Sequence, residues 1–274
     1  MKLTAIAPVL NEVDFIGYSV MAALPYICQF IYALDEKSDD GTRELLNHIK
    51  KTYAHEKLIA FRHPNFHPSD TAAYDAAFNA CIEKATGDAI IFLHPDMIIT
   101  EFKPLEQGPL AWWTTIKSFA GDFQTEITKG RATRWKNIHA RKFGLHYAGA
   151  YGSQNEDFYH RDITGNSYRH YGEEFSKYPY QVADSGIKIN HYCELKDYSR
   201  RLEKMKLCLK TLYPRYTDEF IEENAIQHPR VTLEPTSLEF GRFEFAKTTE
   251  PVPFVFEQYK KEFDAFKKEL IPNG

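Results

Sequence analysis

Acidic and imidazole side chains stand at the ends of several short apolar runs, where they could bind a cation or a polar ligand. Glu12 follows the first run, Asp35 ends the second, and His94 and Asp96 follow a later one. His191 ends a further run much later in the chain. Carboxylate oxygens are preferred ligands of hard divalent cations, and neutral imidazole also binds metals. We therefore predict a metal site that draws on Asp96, His191 and His94.

The turn after Asp35 leads directly into a helix that Thr42 can cap, and this gives the Asp35 carboxylate a second candidate role. It can accept a hydrogen bond from the N–H of a nucleobase. A lone aspartate there also suits a helix cap or a solvated turn, and a lone histidine such as His191 is commonly structural. The repetition of acidic groups favours a binding site, because converging carboxylates repel one another unless a cation or ligand offsets the repulsion.

The elements that must position these side chains alternate between strand and helix up to about residue 100. We predict strands over residues 3–7, 30–34, 58–61 and 88–93, and helices over residues 15–24, 42–53 and 70–85. This alternation is typical of a doubly wound α/β fold, with a mostly parallel sheet flanked by helices. Ligands of such Rossmann-like sheets bind outside the carboxyl ends of the strands, which is where the acidic residues fall.

The pattern becomes less regular in the rest of the chain, where residues 122–180 are rich in Gly, Tyr, Arg and His. We predict strands over 111–120 and 187–191, a charged helix over 195–212 and a final helix over 256–270. The predicted organisation is a ligand-binding half (1–104), a less regular second half of the same domain (105–194) and a C-terminal helical extension (195–274).

The composition is that of an ordinary globular protein, with 43% hydrophobic and 26% charged residues in a chain of 274. A net charge of -4 argues against a protein that coats nucleic acid. The four cysteines show no CxxC spacing, which predicts reduced thiols and a cytoplasmic location. No apolar run approaches the roughly 18 residues that cross a bilayer, so we expect no integral membrane segment.

Three blocks of this sequence resemble the motifs of the inverting GT-A glycosyltransferases of family 2. Residues 8–12 read Pro-Val-Leu-Asn-Glu and match that family's Pro-x-x-Asn-Glu. Residues 35–42 match its Asp-Asp-Gly-Ser-x-Asp-Gly-Thr in register. Residues 77–88 are similar to its third block, which is followed by a strand and Asp-x-Asp, here His94-Pro95-Asp96. The resemblance covers about residues 1 to 100.

The resemblance implies a nucleoside diphosphate sugar as donor and Mn²⁺ or Mg²⁺ as cofactor. In this family pattern Asp35 contacts the base, Glu12 lies near the nucleoside, and Asp96 binds the cation. His191, followed by a tyrosine and a basic segment, is similar to a His-Tyr element of related transferases and would complete the metal site. The other donor-site positions that the motifs match are Pro8, Asp40, Asn79 and His94.

Two positions depart from the family pattern. His94 replaces the first Asp of Asp-x-Asp, which puts the ribose or metal contact there in doubt. Phe78 replaces an arginine of the third block, so a contact commonly made to the donor is missing.

Inverting transfer also needs a general base that takes the proton of the acceptor hydroxyl. Two acidic segments compete for this role. Asp157 fits the Glu-Asp form of the family's acidic pair, whereas Glu174, preceded by Glu173, fits the spacing ahead of the strand at 187–191. In either segment the acidic side chains could instead be ordinary surface carboxylates exposed to solvent.

The acceptor is left open, with the hydroxyl of a saccharide or lipid-linked glycan as the expected partner. A modified DNA base or a protein side chain is an alternative. The basic residues that would favour DNA are Arg131, Arg134, Lys136, Arg141 and Lys142. Together with the tyrosine-rich segment 147–171, the arginines are candidates for shaping the acceptor site.

Two rival functions follow from the same residues. One is a non-catalytic nucleotide- or glycan-binding protein, in which the changes at His94 and Phe78 have removed activity. The other is a sugar-1-phosphate nucleotidylyltransferase, against which stands the lack of a glycine- and arginine-rich phosphate loop near the first strand.

Overall fold

The computed structural model describes most of the first 148 residues and parts of the remainder. The described residues are 1–64, 71–120, 122–129, 132–141, 144–148, 157–161, 167–169, 182–195, 202, 206, 217–220 and 244–270.

A parallel sheet of four strands forms the centre of the fold. The strands are Leu3–Val9 (β1), Gln29–Asp35 (β2), Leu58–His63 (β3) and Ala89–Phe92 (β4). Their order is β3-β2-β1-β4, so β1 lies between β2 and β4. Every residue of β2 and of β4 is buried, as expected for apolar strands covered on both faces.

Three helices connect these strands. They are Ile16–Ala23 (α1), Thr42–Ile49 (α2) and Thr71–Lys84 (α3). In α2 the residues Thr42, Leu45, Leu46 and Ile49 are buried, which is the i, i+3, i+4, i+7 spacing of one helix face. Gly41 precedes α2 with a φ of 91°, a left-handed conformation that glycine adopts without steric cost.

The same sheet continues with antiparallel strands. These are Met97–Glu101 (β5), Ala111–Ala120 (β6), Thr125–Lys129 (β7) and Arg134–Ala140 (β8). Strand β8 joins the two parts, because it pairs antiparallel with β4 on one side and with β6 on the other. A separate three-stranded sheet consists of His146–Ala148 (β9), Asp157–Arg161 (β10) and Ser167–Arg169 (β11).

Two later strands return to the large sheet. Val182–Glu194 (β12) pairs parallel with β6 and antiparallel with β5. Glu244–Lys247 (β13) pairs antiparallel with β7 at the edge. The final helix, Phe254–Leu270 (α4), contacts α1 and α2. The three parts into which the sequence was divided therefore share one sheet and its covering helices.

The predicted fold class is confirmed: the chain is a mixed α/β protein with a parallel core sheet, flanking helices and a C-terminal helix. Some elements differ from the prediction. Helix α2 ends at Ile49 and continues as a π-helix over Lys50–Ala54, and strand β5 was not expected. The predicted strand at 187–191 is longer because it pairs with two neighbours. The predicted helix over 195–212 lies almost wholly outside the described residues.

None of the helices in the described ranges combines the length and the apolar character that spanning a membrane requires.

Candidate functional site

The residues predicted to bind a donor lie at one edge of the parallel sheet. Strands β1, β2 and β4 run in the same direction, with β1 in the middle. Asp35 is the last residue of β2, and Asp96 comes shortly after the end of β4. Because neighbouring strands are about 4.8 Å apart, these two carboxylates belong to the same edge with a single strand between them.

The loop after β1 is hydrogen-bonded to the turn after β2. The side-chain oxygen of Asn11 accepts hydrogen bonds from the backbone N–H of Asp39 (3.0 Å) and from the hydroxyl of Ser38 (3.2 Å). Its amide nitrogen donates to the Asp39 carboxylate at 3.1 Å. Asn11 has a φ of 53°, which asparagine tolerates better than most residues. The loop after β1 and the turn after β2 are separate in the sequence but are joined by these hydrogen bonds. Together they form what we call the rim.

Asp40 fastens this rim to the start of α2. One carboxylate oxygen accepts a hydrogen bond from the N–H of Val13 at 3.0 Å. The other accepts from the N–H of Thr42 at 3.0 Å and from its hydroxyl. The Thr42 hydroxyl oxygen in turn accepts from the N–H of Glu12 at 2.8 Å. Asp40, which the motif assigned to the donor site, thus makes a set of structural hydrogen bonds.

The remaining donor-site residues of the first two motifs lie close to the rim. Asp35 is completely buried, and Glu12 is only 8% exposed. One oxygen of Asp35 accepts a hydrogen bond from the N–H of Lys37 at 2.8 Å, which shapes the turn. Pro8 is in β1, paired with Ala33 of β2 and half-buried. Strand and turns together bring Pro8, Glu12 and Asp35 to the same edge.

The second group of predicted residues comes together from distant parts of the chain. The Nε2 atom of His191 is 3.4 Å from Oδ1 of Asp96. The ring of His94 is 6.0 Å from that of His191, centroid to centroid, and inclined by 21°. Strand β12 brings His191 here by pairing it with Met97, and the N–H of Tyr192 donates to the Asp96 carbonyl at 2.9 Å. Tertiary pairing thus unites the three candidate metal ligands.

The Asp96–His191 pair offers a carboxylate and an imidazole, two side-chain types that bind divalent cations. Within the described ranges no group of three or more His, Cys, Asp and Glu side chains is arranged to bind a metal alone. The Asp96 carboxylate and the His191 imidazole are nevertheless close enough to serve as two ligands, with His94 further away. Mg²⁺ commonly uses one or two protein ligands and takes the rest from phosphates and water.

An aromatic wall beside His94 was not found by sequence reasoning. The His94 ring stacks on Trp135 of β8, with centroids 5.4 Å apart and planes inclined by 20°. It also contacts Phe92 at 4.2 Å. The strand propensity of Trp135 and Ile138 was a weak signal for β8, because no clear alternation surrounds them. These rings restrict the orientation that the His94 imidazole can adopt.

Asn79 and Phe78 hold α3 against the small sheet. The Asn79 amide donates to the carbonyl of Tyr147 at 2.9 Å and accepts from its N–H at 2.8 Å. Phe78 is fully buried, stacked on Tyr147 at 4.1 Å and edge-on to Phe92 at 4.7 Å. An arginine at position 78 would be buried among aromatic rings. This packing favours phenylalanine over arginine at position 78.

Of the three predicted general bases, Asp157 is the one within the described ranges. It begins β10, where its backbone pairs with Ala148 of β9. Glu173 and Glu174 lie outside the described residues. The choice between the two acidic segments therefore stays a prediction.

The basic residues considered for a DNA acceptor differ in burial and in their partners. Of the five residues considered for DNA, the structure describes Arg134, Lys136 and Arg141, whereas Arg131 and Lys142 lie outside the described ranges. Arg134 forms an ion pair with Asp184 at 2.8 Å, and Arg141 donates to the carbonyl of Gly87 at 3.1 Å. Lys136 is only 6% exposed. Lys136 therefore offers little surface to a ligand, and a DNA acceptor stays a prediction.

Comparison with known proteins gives similarity only to solved structures. No family model and no curated protein matches the sequence. A mycobacterial protein of known crystal structure overlays with a TM-score of 0.40 and 11% identity, over 78% of this chain and 74% of that one. Glucosyl-3-phosphoglycerate synthase from Mycobacterium tuberculosis overlays with a TM-score of 0.40 and 11% identity, over 92% of this chain and 88% of that one. That structure contains Mn²⁺, uridine diphosphate and phosphoglyceric acid. Both likenesses are distant.

Proposed function

We propose that this protein is a metal-dependent glycosyltransferase that moves a sugar from a nucleoside diphosphate sugar to a hydroxyl group with inversion. The observation that carries the proposal is the approach of His191 to Asp96, 3.4 Å apart, at the sheet edge that also carries Asp35. A binding edge outside the carboxyl ends of parallel strands is where open α/β proteins place their ligands. The first two motif blocks and Asp96, which follows the third block and β4, support the proposal because they belong to this edge.

The residues of the edge divide the donor between them. Asp35 would accept a hydrogen bond from the base, and Glu12 would lie near the nucleoside. Asp96 and His191 would hold Mg²⁺ or Mn²⁺ against the diphosphate. What the bound cation supplies is stabilisation of the negative charge that develops on the departing diphosphate, commonly a large catalytic term.

The acceptor half of the reaction depends on a carboxylate that removes the hydroxyl proton as the new bond forms. Glu174 and Asp157 are the candidates, with Glu173 next to the first. Replacing the true base by its amide, Glu174→Gln or Asp157→Asn, should abolish transfer and leave nucleotide binding intact. A saccharide or lipid-linked glycan is the acceptor class we propose.

The donor half is tested by thermal-shift measurements with UDP, GDP, CDP and TDP, each with and without Mn²⁺. A ligand that binds only the folded protein raises its melting temperature by mass action. We expect one nucleotide to stabilise the protein in a Mn²⁺-dependent manner, and Asp96→Ala to remove the dependence on Mn²⁺. Asp122→Ala is the matched control, because Asp122 is an exposed carboxylate that pairs with Lys247 on the surface.

Two outcomes would overturn the assignment. Stabilisation that survives unchanged in Asp96→Ala would show that this carboxylate does not hold the cation. Binding of a nucleotide sugar without hydrolysis or transfer to any tested acceptor would instead favour the non-catalytic binding protein.

A further inference from the structure

The C-terminal helix α4 contacts three chain segments around the candidate site: the loop after β1, the start of α2 and the residue after His191. Leu270, at its end, lies against Gly41, and a methyl group added there would be 3.0 Å from the leucine Cδ1. Lys267 forms an ion pair with Asp14 at 3.4 Å. At the other end of α4, Phe256 packs on rings beside the His191 cluster. Helix α4 thus extends from the rim to Tyr192, the residue next to the Asp96–His191 pair.

The contacts near the cluster are aromatic. Phe256 lies 5.3 Å from Tyr192, edge to face, and 6.1 Å from Phe15 in the loop before α1. Phe15 and Tyr192 are themselves stacked at 6.2 Å. Tyr192 follows His191 directly, and its N–H donates to the carbonyl of Asp96. The position of Phe256 is therefore transmitted to the backbone that carries both candidate cation ligands.

Helix α4 contacts α2 at both ends, through the apolar side chain of Leu270 at its beginning and through polar groups at its end. Glu262 of α4 accepts a hydrogen bond from the Tyr53 hydroxyl at 2.6 Å, and its other oxygen lies 2.7 Å from Nε2 of His48. The hydrogen bond to Glu262 is the main reason that the pKa of Tyr53 is raised to about 12, and burial raises it further by a smaller amount. His48 closes α2, whereas Gly41, under Leu270, opens it. Helix α4 thus fastens α2 at its beginning and at its end.

The middle of α4 has no freedom to shift along α1. Phe263 is fully buried, and a Cβ atom on Gly17 would approach its ring to 2.7 Å. Glycine at position 17 is what allows the two helices to come this close. Because such close packing leaves little room for displacement, the middle of α4 anchors the helix on α1 while each end supports the segment that it contacts.

We propose that α4 is the positioning element of the candidate site, with Glu262 holding the rim after β2 through α2 and Phe256 holding the Asp96–His191 pair through Tyr192. The consequence for ligand binding rests on the proposed function, but the ordering of the two segments does not. Glu262 acts through His48 and Tyr53, and Phe256 acts through Tyr192, so both are positioning residues.

Native-state hydrogen exchange tests this proposal without a ligand, on wild type and on Glu262→Ala. Amides of the rim, including those of Lys37, Asp39 and Thr42, are hydrogen-bonded within it. Loss of the Glu262 bonds should speed their exchange by about tenfold, the effect of one or two hydrogen bonds on a local opening. The Tyr192 amide should keep its wild-type rate. Phe256→Leu should show the reverse pattern.

Three further variants keep the test specific. Glu257→Ala makes the same change at an exposed position of α4 and should leave both segments unaltered. Ile138→Val lowers global stability in β8 without touching α4. Glu262→Gln keeps an acceptor for Tyr53 and should restore part of the protection. The proposal would be overturned if Glu262→Ala speeded the exchange of rim and core amides equally, or if Ile138→Val speeded the rim amides as much as Glu262→Ala does. Either result would mean that Glu262 contributes only to global stability.

The functional arm uses UDP with Mn²⁺ as the first probe, followed by the other nucleoside diphosphates. Glu262→Ala should weaken nucleotide binding severalfold, whereas Glu257→Ala should not. If wild type binds no nucleotide, the proposed function fails while the exchange data still decide the role of α4. If exchange changes as expected but nucleotide affinity does not, α4 positions the segments without serving the site.

Discussion

Some buried polar side chains of this protein make several hydrogen bonds, whereas others are buried in a mostly apolar environment. Asp40 uses both carboxylate oxygens on the backbone and hydroxyl groups of neighbouring turns. The hydroxyl of Tyr32 is buried without a hydrogen-bond partner in the described part of the chain. The thiol of Cys81, on α3, is also fully buried. These two side chains allow predictions about single residues.

Tyr32→Phe is expected to leave stability unchanged or to raise it by up to about 1 kcal/mol. A buried donor without a partner carries a desolvation penalty, and removing the hydroxyl removes that penalty while the ring keeps its packing. Urea unfolding of both proteins measures the difference. A loss of more than about 1 kcal/mol would mean that the hydroxyl has a partner, such as an ordered water.

Cys81 should make the protein less stable in alkali. Burial raises the pKa of its thiol to about 12 from the ordinary value of 9.0. Its stabilising contribution is thus complete below pH 9 and is lost as the pH rises from 9 towards 12, because only the unfolded thiol ionises there. At pH 10 the loss is about 1 kcal/mol.

The measurement compares urea unfolding of wild type and Cys81→Ala at pH 8 and pH 10. The substitution costs packing at both values, but only wild type should lose the thiol contribution between them. Iodoacetamide at pH 9 should also modify the half-buried Cys28 before Cys81. Prompt modification of Cys81 in the folded protein would contradict its burial.

At the scale of elements, packing between helices decides the effect of residues that propensity alone would misjudge. The clearest case is Gly17 in α1, since alanine is the better helix former by about 1 kcal/mol. Here the added methyl group would collide with the Phe263 ring of α4. Tertiary contact therefore reverses the sign that helix propensity predicts.

We expect Gly17→Ala to destabilise the protein by roughly 1–3 kcal/mol, the usual effect of overpacking a core. Guanidinium unfolding of the single variant measures this loss. In a Phe263→Leu background, Gly17→Ala should cost less stability than it does in wild type, because the smaller leucine side chain makes room for the added methyl group. A stabilising Gly17→Ala would show that α4 can move away from α1 at little cost.

At the scale of the whole molecule, the large sheet draws strands from all three predicted parts of the chain, 1–104, 105–194 and 195–274. Strand β8 joins β4 to β6, and β12 pairs with strands on both sides of the first boundary. Beyond the second boundary, β13 extends the sheet through β7, and α4 covers α1 and α2. Shared hydrogen bonds and a shared core favour a single cooperative transition.

Coincident unfolding curves are the expected result when two probes are followed in the same urea titration. All three tryptophans, Trp112, Trp113 and Trp135, lie between residues 105 and 194, so their fluorescence reports that part of the chain. Circular dichroism at 222 nm reports helix, and the helices α1–α4 of the described ranges lie in the other two parts. Transitions separated by more than the fitting error would mean that the parts unfold independently.

Local pattern was enough to predict much of the first hundred residues. Buried parallel strands such as β2 and β4 are continuous apolar runs, and α3 is a run of strong helix formers. Strands β5 and β8 were not predicted because pairing, more than an alternating pattern, stabilises them. The π-helical continuation of α2 also lies outside what propensity shows, because His48 and Tyr53 meet Glu262 of a distant helix.

The sequence by itself determined the α/β class and the positions of Asp35 and Asp96 at strand ends, because short-range periodicity and turn chemistry carry that information. Only the tertiary structure decided which of the predicted site residues make structural hydrogen bonds and which come together in space. Asp40 and Asn79 bond to backbone groups, whereas Asp96 and His191 are brought together by the pairing of β5 with β12. Contacts between residues so far apart depend on strand register, and register is a property of the assembled sheet.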